Sequence, residues 1–181
     1  AFTRTTPEEL KVWTEKIEEV LATPWIVRAG EHRIDQWESG WGENLKALEE
    51  IKSAAALTPR YFGKYNVVRW KQDFITPQSE NFEYHTLAVI EDWLFNKYLG
   101  TTKAIYEFGC GTGHNLFRAR RANSEAKLYG LDWAASSQEI IRKANELGLL
   151  SNSEGKQFDF FNPDLSFALE KKAAIYTVAA L

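Results

Sequence analysis

Residues 105–115 read IYEFGCGTGHN, and this stretch decides the fold that the sequence predicts. A short apolar run ends at Glu107, three glycines follow at Gly109, Gly111 and Gly113, and a helical pattern then begins. Glycine lets the backbone turn tightly and lets a ligand approach main-chain atoms, because no side chain stands in the way. The stretch therefore predicts a strand, a ligand-binding loop and a helix in succession.

Short apolar runs alternate with helical stretches throughout the chain after residue 100. The pattern predicts strands over residues 103–108, 127–131, 157–160 and 173–178, and helices over 114–121 and from a capping box at 136–139 onward. This alternation predicts right-handed crossovers and an α/β fold with a Rossmann-like parallel sheet. Ligands of such sheets bind outside the carboxyl ends of the strands, where the glycines lie.

The first hundred residues carry a different, mostly helical pattern. A capping box over residues 6–9 begins a helix that Pro24 ends, and further helices are expected over 43–55 and 80–98. We therefore expect two parts: a helical region, residues 1–100, acting as a lid or substrate cap, and a ligand-binding half-domain, residues 101–181. The expected contacts from the cap are Tyr61, Arg69, Tyr84 and His85.

A glycine-rich turn after a first strand also occurs in dinucleotide-binding enzymes. Their fingerprint, GxGxxG, needs a small residue where this chain has His114. Glu107 would repel a pyrophosphate, but a carboxylate suits the ammonium and sulfonium groups of S-adenosylmethionine. Asp132 in KLYGLDW (127–133) ends the second strand, where a carboxylate accepts hydrogen bonds from ribose hydroxyls in both enzyme classes. The loop therefore favours S-adenosylmethionine, and an oxidoreductase using NAD(P) or a flavin is the alternative.

EFGCGTG (107–113) followed by GLDW (130–133) resembles motifs I and II of the class I S-adenosylmethionine-dependent methyltransferases, and the resemblance covers residues 104–178. It implies that the three glycines line the methionine part of the cofactor. Glu107 would lie near the methionine amino group, Asp132 would hold the ribose, and Trp133 would lie against the adenine. The residues assigned to cofactor binding are Glu107, Gly109, Cys110, Gly111, Gly113, Asp132, Trp133, Asp159 and Phe160.

The third motif of that family has a weaker counterpart in QFDFFNPD (157–164). Asp159 resembles the acid that bonds the adenine amino group, with Phe160 beside it, and Asp164 is the alternative for the same role. Within the loop, Cys110 is expected to be a small packed side chain without a catalytic role, because no basic partner is adjacent to it. His114 is expected in the first turn of a solvent-facing helix.

Composition restricts the partners and the location. A net charge of −3 and a pI near 5.7 give no basic surface for nucleic acid. One cysteine cannot form an internal disulfide, and three scattered histidines lack the spacing of a zinc site, so no metal is expected. No apolar run is long enough to span a membrane. These features predict a cytoplasmic protein with no nucleic-acid or membrane partner.

The acidic charge and the aromatic-rich segment before the loop favour a small-molecule methyl acceptor, and a protein acceptor is the second choice. Six of the seven tryptophans precede residue 100, and most are expected to be packing residues. A non-catalytic domain that keeps the fold for partner binding is a further alternative. No particular catalytic residue is required, and none is assigned, because methyl transfer from a sulfonium mainly requires alignment of the acceptor, the methyl group and the sulfur.

The chain has no methionine and stops within the apolar run AAIYTVAAL (173–181). The class I resemblance implies a seven-stranded sheet ordered 3-2-1-4-5-7-6, of which this sequence supplies four strands. We therefore expect a hydrophobic strand edge at residues 173–178. Either a continuation beyond Leu181 or another chain, such as a second copy in a homodimer, is expected to cover it.

Overall fold

The computed structural model describes residues 1–23 and 30–180. Their contacts form two compact units, one of Ala1–Ala29 and Tyr61–Leu87, the other of Gly30–Arg60 and Ala88–Leu181. Residues 30–60 and 88–100 precede the boundary expected at residue 100, but they fall in the same unit as the sheet. Pro24 and Leu181, which the sequence analysis named, lie outside the described residues, as does Trp25, one of the six tryptophans before residue 100.

The smaller unit combines one helix with a three-stranded antiparallel sheet. It contains β1 (Phe2–Arg4), α1 (Pro7–Ala22), β2 (Val68–Trp70) and β3 (Asp73–Pro77), with strand order β1-β3-β2. The capping box of α1 is confirmed: Thr6 Oγ1 accepts the Glu9 N–H at 3.2 Å, and Glu9 Oε2 accepts the Thr6 N–H at 2.8 Å. The sheet was not predicted, because its strands are too short to show alternation.

The larger unit is an α/β fold built on a parallel sheet. Its elements are α2 (Ile34–Ile51), β4 (Ala104–Phe108), α4 (His114–Ala122), β5 (Lys127–Asp132), α5 (Ala135–Glu146), β6 (Ser153–Gln157) and β7 (Ala174–Tyr176). Helix α3 (Phe82–Tyr98) begins in the smaller unit and continues into this one. The strand order β6-β5-β4-β7 corresponds to 3-2-1-4, so the predicted Rossmann-like topology is confirmed.

Two predicted elements are wrong in their bounds. The third strand is Ser153–Gln157, not 157–160, because the polar run SEGKQ pairs with β5 at an edge of the sheet. The apolar residues after it pack as a loop, and Phe158 joins Phe167 against the cluster of Tyr106 and Tyr129. The helix in the least regular stretch runs over Ile34–Ile51 instead of 43–55.

The capping box predicted at residues 136–139 does not form. Helix α5 begins at Ala135, and its N-cap is Ala134, two residues before the predicted N-cap Ser136; Ala134 offers no side-chain acceptor. Its first amides are instead bound by a carboxylate from α2, described below. The spacing of polar residues indicated a helix start correctly but could not identify an acceptor distant in sequence.

A buried arginine and a buried asparagine connect the segments that precede β4 and β5. Arg120, 9% exposed, donates hydrogen bonds to the carbonyl oxygens of Asn123 at 3.0 Å, Ser124 at 2.7 Å and Ala126 at 2.8 Å. Asn123 Nδ2 in turn donates to Leu99 O at 2.7 Å and Thr102 O at 2.9 Å. This network lies at the opposite end of the sheet from the glycine loop.

Candidate functional site at the carboxyl ends of the strands

The glycine loop follows β4 in a conformation that side chains disfavour. Gly109, Gly111 and Gly113 have φ values of 74°, 50° and 74°, in the left-handed region that glycine adopts without strain. The N–H groups of Gly109 and Cys110 donate to Leu131 O at 2.7 Å and 3.0 Å. The loop is therefore anchored to the end of β5 and holds one defined shape.

Neighbouring side chains approach each glycine closely. A Cβ atom on Gly111 would lie 3.0 Å from Cζ2 of Trp41, and one on Gly109 would lie 2.2 Å from the Cβ of Ala180. A Cβ on Gly113 would lie 2.5 Å from Cδ1 of Ile141. The glycines therefore already serve close packing within the chain. A ligand that reaches the main chain at Gly109 or Gly111 must take the place of Ala180 or Trp41.

Asp132 joins the two sides of the crevice, which lies between the glycine loop after β4 and the turn after β5. Its Oδ2 accepts the Gly111 N–H at 2.9 Å, and its Oδ1 accepts the Ala134 N–H at 3.0 Å. Burial raises the pKa of this carboxyl, and the amides of Ala134 and Gly111 oppose that shift by favouring the charged form. The Ser137 hydroxyl and the Trp133 N–H also interact with this carboxylate. A serine hydroxyl can rotate to another partner, which would leave an acceptor oxygen for a ligand.

Glu107 lies beneath the loop and is 0% exposed. Its Oε1 accepts a hydrogen bond from Asn115 Nδ2 at 2.8 Å, and its Oε2 accepts one from the Tyr176 hydroxyl at 3.1 Å. Burial raises the pKa of this carboxyl to about 8. In this arrangement both oxygens contact protein, and a contact with a methionine amino group stays a prediction.

A second buried ionic group lies next to Glu107, where α3 meets α4. Arg118 Nε lies 3.4 Å from Oε2 of Glu91, and Arg118 Nη1 lies 3.1 Å from Oδ1 of Asp92. The side chains of Arg118 and Glu91 are 8% and 5% exposed. Burial raises the pKa of Glu91 to about 7, against the opposing charge of Arg118.

Two of the predicted loop residues are fully enclosed. Cys110 is 2% exposed, and burial raises the pKa of its thiol well above the usual value, in keeping with a packed side chain. The expectation that His114 faces solvent is wrong, since it is 8% exposed and lies 3.3 Å from the Thr112 hydroxyl through Nδ1. Burial lowers the pKa of His114 to about 4, so this histidine is neutral at pH 7.

The residues predicted for the adenine end lie in the turns after β5 and β6. The Trp133 ring centroid is 5.7 Å from that of Phe161, and Asp159 Oδ1 accepts the Phe161 N–H at 2.8 Å. Phe160 is 42% exposed, with its ring 6.0 Å from that of Phe108. Trp133 and Asp159 are thus both brought to Phe161.

Asp164, the alternative to Asp159, is exposed and occupied locally. Its Oδ1 accepts hydrogen bonds from the N–H of Ser166 at 2.9 Å and from the Ser166 hydroxyl at 2.7 Å. These two bonds lower the pKa of Asp164. The choice between Asp159 and Asp164 for the adenine amino group stays a prediction.

Helix α2 supplies two residues that the sequence analysis did not assign to the site. Glu38 accepts the N–H groups of Ala135 and Ser136 at the start of α5, and Trp41 packs on Gly111. Both act over long sequence distances, so no local motif indicates them. Their separation of three residues on one helix is the only signal, and it becomes informative once the start of α2 is known.

Four side chains predicted to contact the cofactor from the cap lie in the segment Tyr61–Leu87 of the smaller unit: Tyr61, Arg69, Tyr84 and His85. Their contact with the site stays a prediction. Among the described residues, no group of three or more His, Cys, Asp or Glu side chains is arranged to hold a metal ion. None of the helices in residues 1–23 and 30–180 is both long and apolar enough to cross a membrane.

No protein-family model matches the chain, and no curated protein matches it. Solved structures of methyltransferases do align with it. Geranyl diphosphate methyltransferase in complex with GPP and sinefungin aligns at 23% identity with a TM-score of 0.42, over 53% of this chain and 36% of that chain. The S-adenosylmethionine-dependent methyltransferase SibL aligns at 14% identity with a TM-score of 0.42, over 98% of this chain and 50% of that chain.

Coclaurine N-methyltransferase bound to N-methylheliamine and SAH aligns at 14% identity with a TM-score of 0.41, over 86% of this chain and 47% of that chain. The chain therefore spans half or less of the length of these three proteins. The strand order of its sheet, 3-2-1-4, agrees with the first four strands of the sheet that the resemblance of its two motifs implies.

Proposed function

We propose that this chain binds S-adenosylmethionine in the crevice between the glycine loop and the end of β5, and that the protein transfers the methyl group to a small molecule. The observation that carries the proposal is the position of Asp132. Its carboxylate is bonded to Gly111 on one side of the crevice and to Ala134 on the other. A nucleoside ribose needs such an acceptor at the carboxyl end of the second strand.

Each predicted site residue has a role under this proposal. The glycine loop contacts the methionine part through its main chain, once Trp41 or Ala180 has moved from it. Asp132 binds the ribose hydroxyls. Trp133 and Phe160 flank the adenine, and Asp159 accepts its amino group. Cys110 contributes its backbone, since its thiol is packed against the sheet.

Glu107 acts on the ligand through charge under this proposal. A carboxyl whose pKa is raised to about 8 is largely neutral at pH 7. A cation bound above the loop favours the ionised form of a buried acid. The ammonium of the methionine part would therefore be stabilised by Glu107 and would lower its pKa in return.

Methyl transfer requires little acid–base chemistry from the chain. The cofactor supplies a sulfonium leaving group, and the acceptor atom must be held in line with the methyl carbon. The residues described here bind and orient the cofactor and exclude water from the crevice. The methyl acceptor is proposed to be a small molecule because a chain of net charge −3 offers no broad basic surface for a nucleic acid.

Calorimetric titration tests the proposal directly. S-adenosylhomocysteine should bind with one site per chain, and NADH should give no heat of binding. The Gly111→Val variant is the matched negative control for a specific site. Binding of NADH without any response to S-adenosylhomocysteine would overturn the proposal in favour of an oxidoreductase. Activity is then tested by transfer of a radiolabelled methyl group to pooled small-molecule acceptors.

A further inference from the structure

Helix α2 contacts both sides of the crevice through two residues on one face. Trp41 covers Gly111 in the glycine loop, and Glu38 binds the turn between β5 and α5. Residues three apart on a helix lie side by side. The same two sides are joined by Asp132, through Gly111 and Ala134. One face of α2 is therefore aligned with both walls of the proposed cofactor site.

Glu38 is held at this position by the start of α5. Its Oε1 accepts the Ala135 N–H, and its Oε2 accepts the Ser136 N–H at 2.9 Å. Helix α5 has no side-chain cap of its own, so this carboxylate satisfies amides that would otherwise lack an intrahelical partner. Partial burial raises the pKa of Glu38, but hydrogen bonds from Ser136 and Ala135 outweigh it and leave the pKa lowered.

Asp132 and Glu38 bind consecutive amides of the same turn. Ala134 donates to Asp132, whereas Ala135 and Ser136 donate to Glu38. The two carboxylates thus bind neighbouring amides of one turn, and these amide donors favour the ionised form of both. The Ser136 hydroxyl also interacts with Glu38, and the Ser137 hydroxyl with Asp132. A serine hydroxyl can rotate to another partner, which leaves an acceptor oxygen for a ligand. A ligand with two adjacent hydroxyl groups has the donors that such a pair can accept.

We infer that Glu38 is a second ribose-recognition residue, which accepts a hydrogen bond from one hydroxyl of the cofactor ribose while Asp132 accepts from the other. The inference rests on the proposed function, since it assigns a further residue to the same site. Recognition of the two ribose hydroxyls is then divided between Asp132, at the end of a strand of the sheet, and Glu38, on helix α2. Glu38 also orients the start of α5, which carries no acceptor of its own for this turn.

The test is calorimetry with S-adenosylhomocysteine and its 2′-deoxy and 3′-deoxy analogues, on wild type, Glu38→Gln and Glu50→Gln. Glu50 lies on the same helix and is exposed, so its variant controls for the loss of one charge on α2. Wild type and Glu50→Gln should bind each deoxy analogue about 10-fold more weakly than the parent compound, as expected for a lost hydrogen bond to a charged acceptor. In Glu38→Gln, the penalty for one of the two analogues should fall to within about 2-fold, because that hydroxyl has lost its charged acceptor, and the penalty for the other analogue, set by Asp132, should be kept.

The ratio between parent and deoxy ligand separates recognition from a merely structural role. A loosened α5 lowers the affinity for both ligands and leaves their ratio as in wild type. An unchanged ratio in a folded Glu38→Gln protein that still binds S-adenosylhomocysteine would therefore overturn the inference and leave the proposed function intact. Failure of wild type to bind S-adenosylhomocysteine would instead remove the proposed function and this inference with it.

Discussion

Asp132 Oδ2 accepts the backbone N–H of Gly111 at 2.9 Å, across the gap between two neighbouring parallel strands. The donor belongs to the loop after β4, and the acceptor ends β5. One carboxylate thereby fixes the distance between the two walls of the crevice. Changes at either residue should alter ligand binding and local structure together, which determines how the variants must be controlled.

Replacement of Asp132 by alanine should weaken the binding of S-adenosylhomocysteine by about 1.5 to 3 kcal/mol, because hydrogen bonds to a charged acceptor are lost. Calorimetry gives the dissociation constant, and circular dichroism shows whether the variant is folded. Asp73→Ala is the matched control, since the Asp73 side chain is 62% exposed and pairs only at the surface with Arg4 among the ion pairs of the described residues. An unchanged dissociation constant in folded Asp132→Ala would move the ribose contact elsewhere.

Gly111→Val should abolish detectable binding of S-adenosylhomocysteine and leave much of the fold intact. Residue 111 has a φ of 50°, and a Cβ there would lie 3.0 to 3.4 Å from the Trp41 ring. Gly148→Val is the control: its φ is 73°, but no atom lies within 4 Å of the added Cβ. Both variants share the backbone strain, and only the first obstructs the loop. Affinity equal to wild type in Gly111→Val would mean that the ligand does not approach this loop.

Glu107 should make the protein less stable as the pH rises. Its pKa is about 8 in the folded protein and has an ordinary value of 4.5, so between these values the folded state binds the extra proton. The free energy of unfolding therefore falls as pH rises through this range. Glu91, with a pKa of about 7, acts in the same direction, whereas His114, lowered to about 4, acts in the opposite one.

Comparison with Glu107→Gln isolates the contribution of this one carboxyl. Denaturant unfolding at about pH 5 and about pH 8 should show that wild type loses stability relative to the variant at the higher pH. A constant difference between the two proteins across this range would mean that Glu107 is not a raised acid in the folded protein.

Binding of S-adenosylhomocysteine near pH 7 should release protons, because its ammonium favours the ionised form of Glu107. Calorimetry in buffers of different ionisation enthalpy measures the number released. Glu107→Gln should release fewer protons than wild type. Equal proton release by the two proteins would show that the ammonium binds away from this carboxyl.

Loss of the ion pairs that Arg118 makes with Glu91 and Asp92 should strongly destabilise the folded protein. Arg118→Ala leaves Glu91 enclosed without its cation, which should lower the free energy of unfolding by about 3–5 kcal/mol. Arg142, whose ion pairs with Glu139 and Glu146 are exposed, provides the control, and Arg142→Ala should have a much smaller effect. Adding Glu91→Gln to Arg118→Ala should restore part of the loss. No restoration would mean that lost packing, and not the unpaired charge, causes the effect.

The sequence predicted the elements whose patterns are local. Strands β4 and β5 are buried on both faces and therefore appear as continuous apolar runs, and the glycines between β4 and α4 mark the turn between them. The resemblance to a known motif added Asp132, whose place at the end of β5 the structure confirms. These features need no information from the rest of the chain.

The remaining part of the site depends on contacts between distant segments. Glu38 and Ala135 are 97 residues apart, and Thr112 donates to Leu57 O over a separation of 55 residues. The polar strand β6 lacks the apolar run by which its neighbours are identified, since its side chains are partly or fully exposed. Local periodicity contains none of this information, so α2 could not be assigned to the site from sequence.

The Arg120 network has a consequence for the motions of the protein. Its carbonyl acceptors lie just before β5 begins, where Arg120 donates to the carbonyl oxygens of Asn123 and Ala126, and the Ala126 N–H donates to Asn123 Oδ1. Under the proposed function, the turns at the far end of the same strand admit a ligand past Trp41. Amide hydrogen exchange should consequently form a gradient along β5, slowest beside Ala126 and fastest beyond Asp132. The end of β5 next to Arg120 would then stay in place when a ligand enters, and any displacement of the backbone would be confined to the end at Asp132.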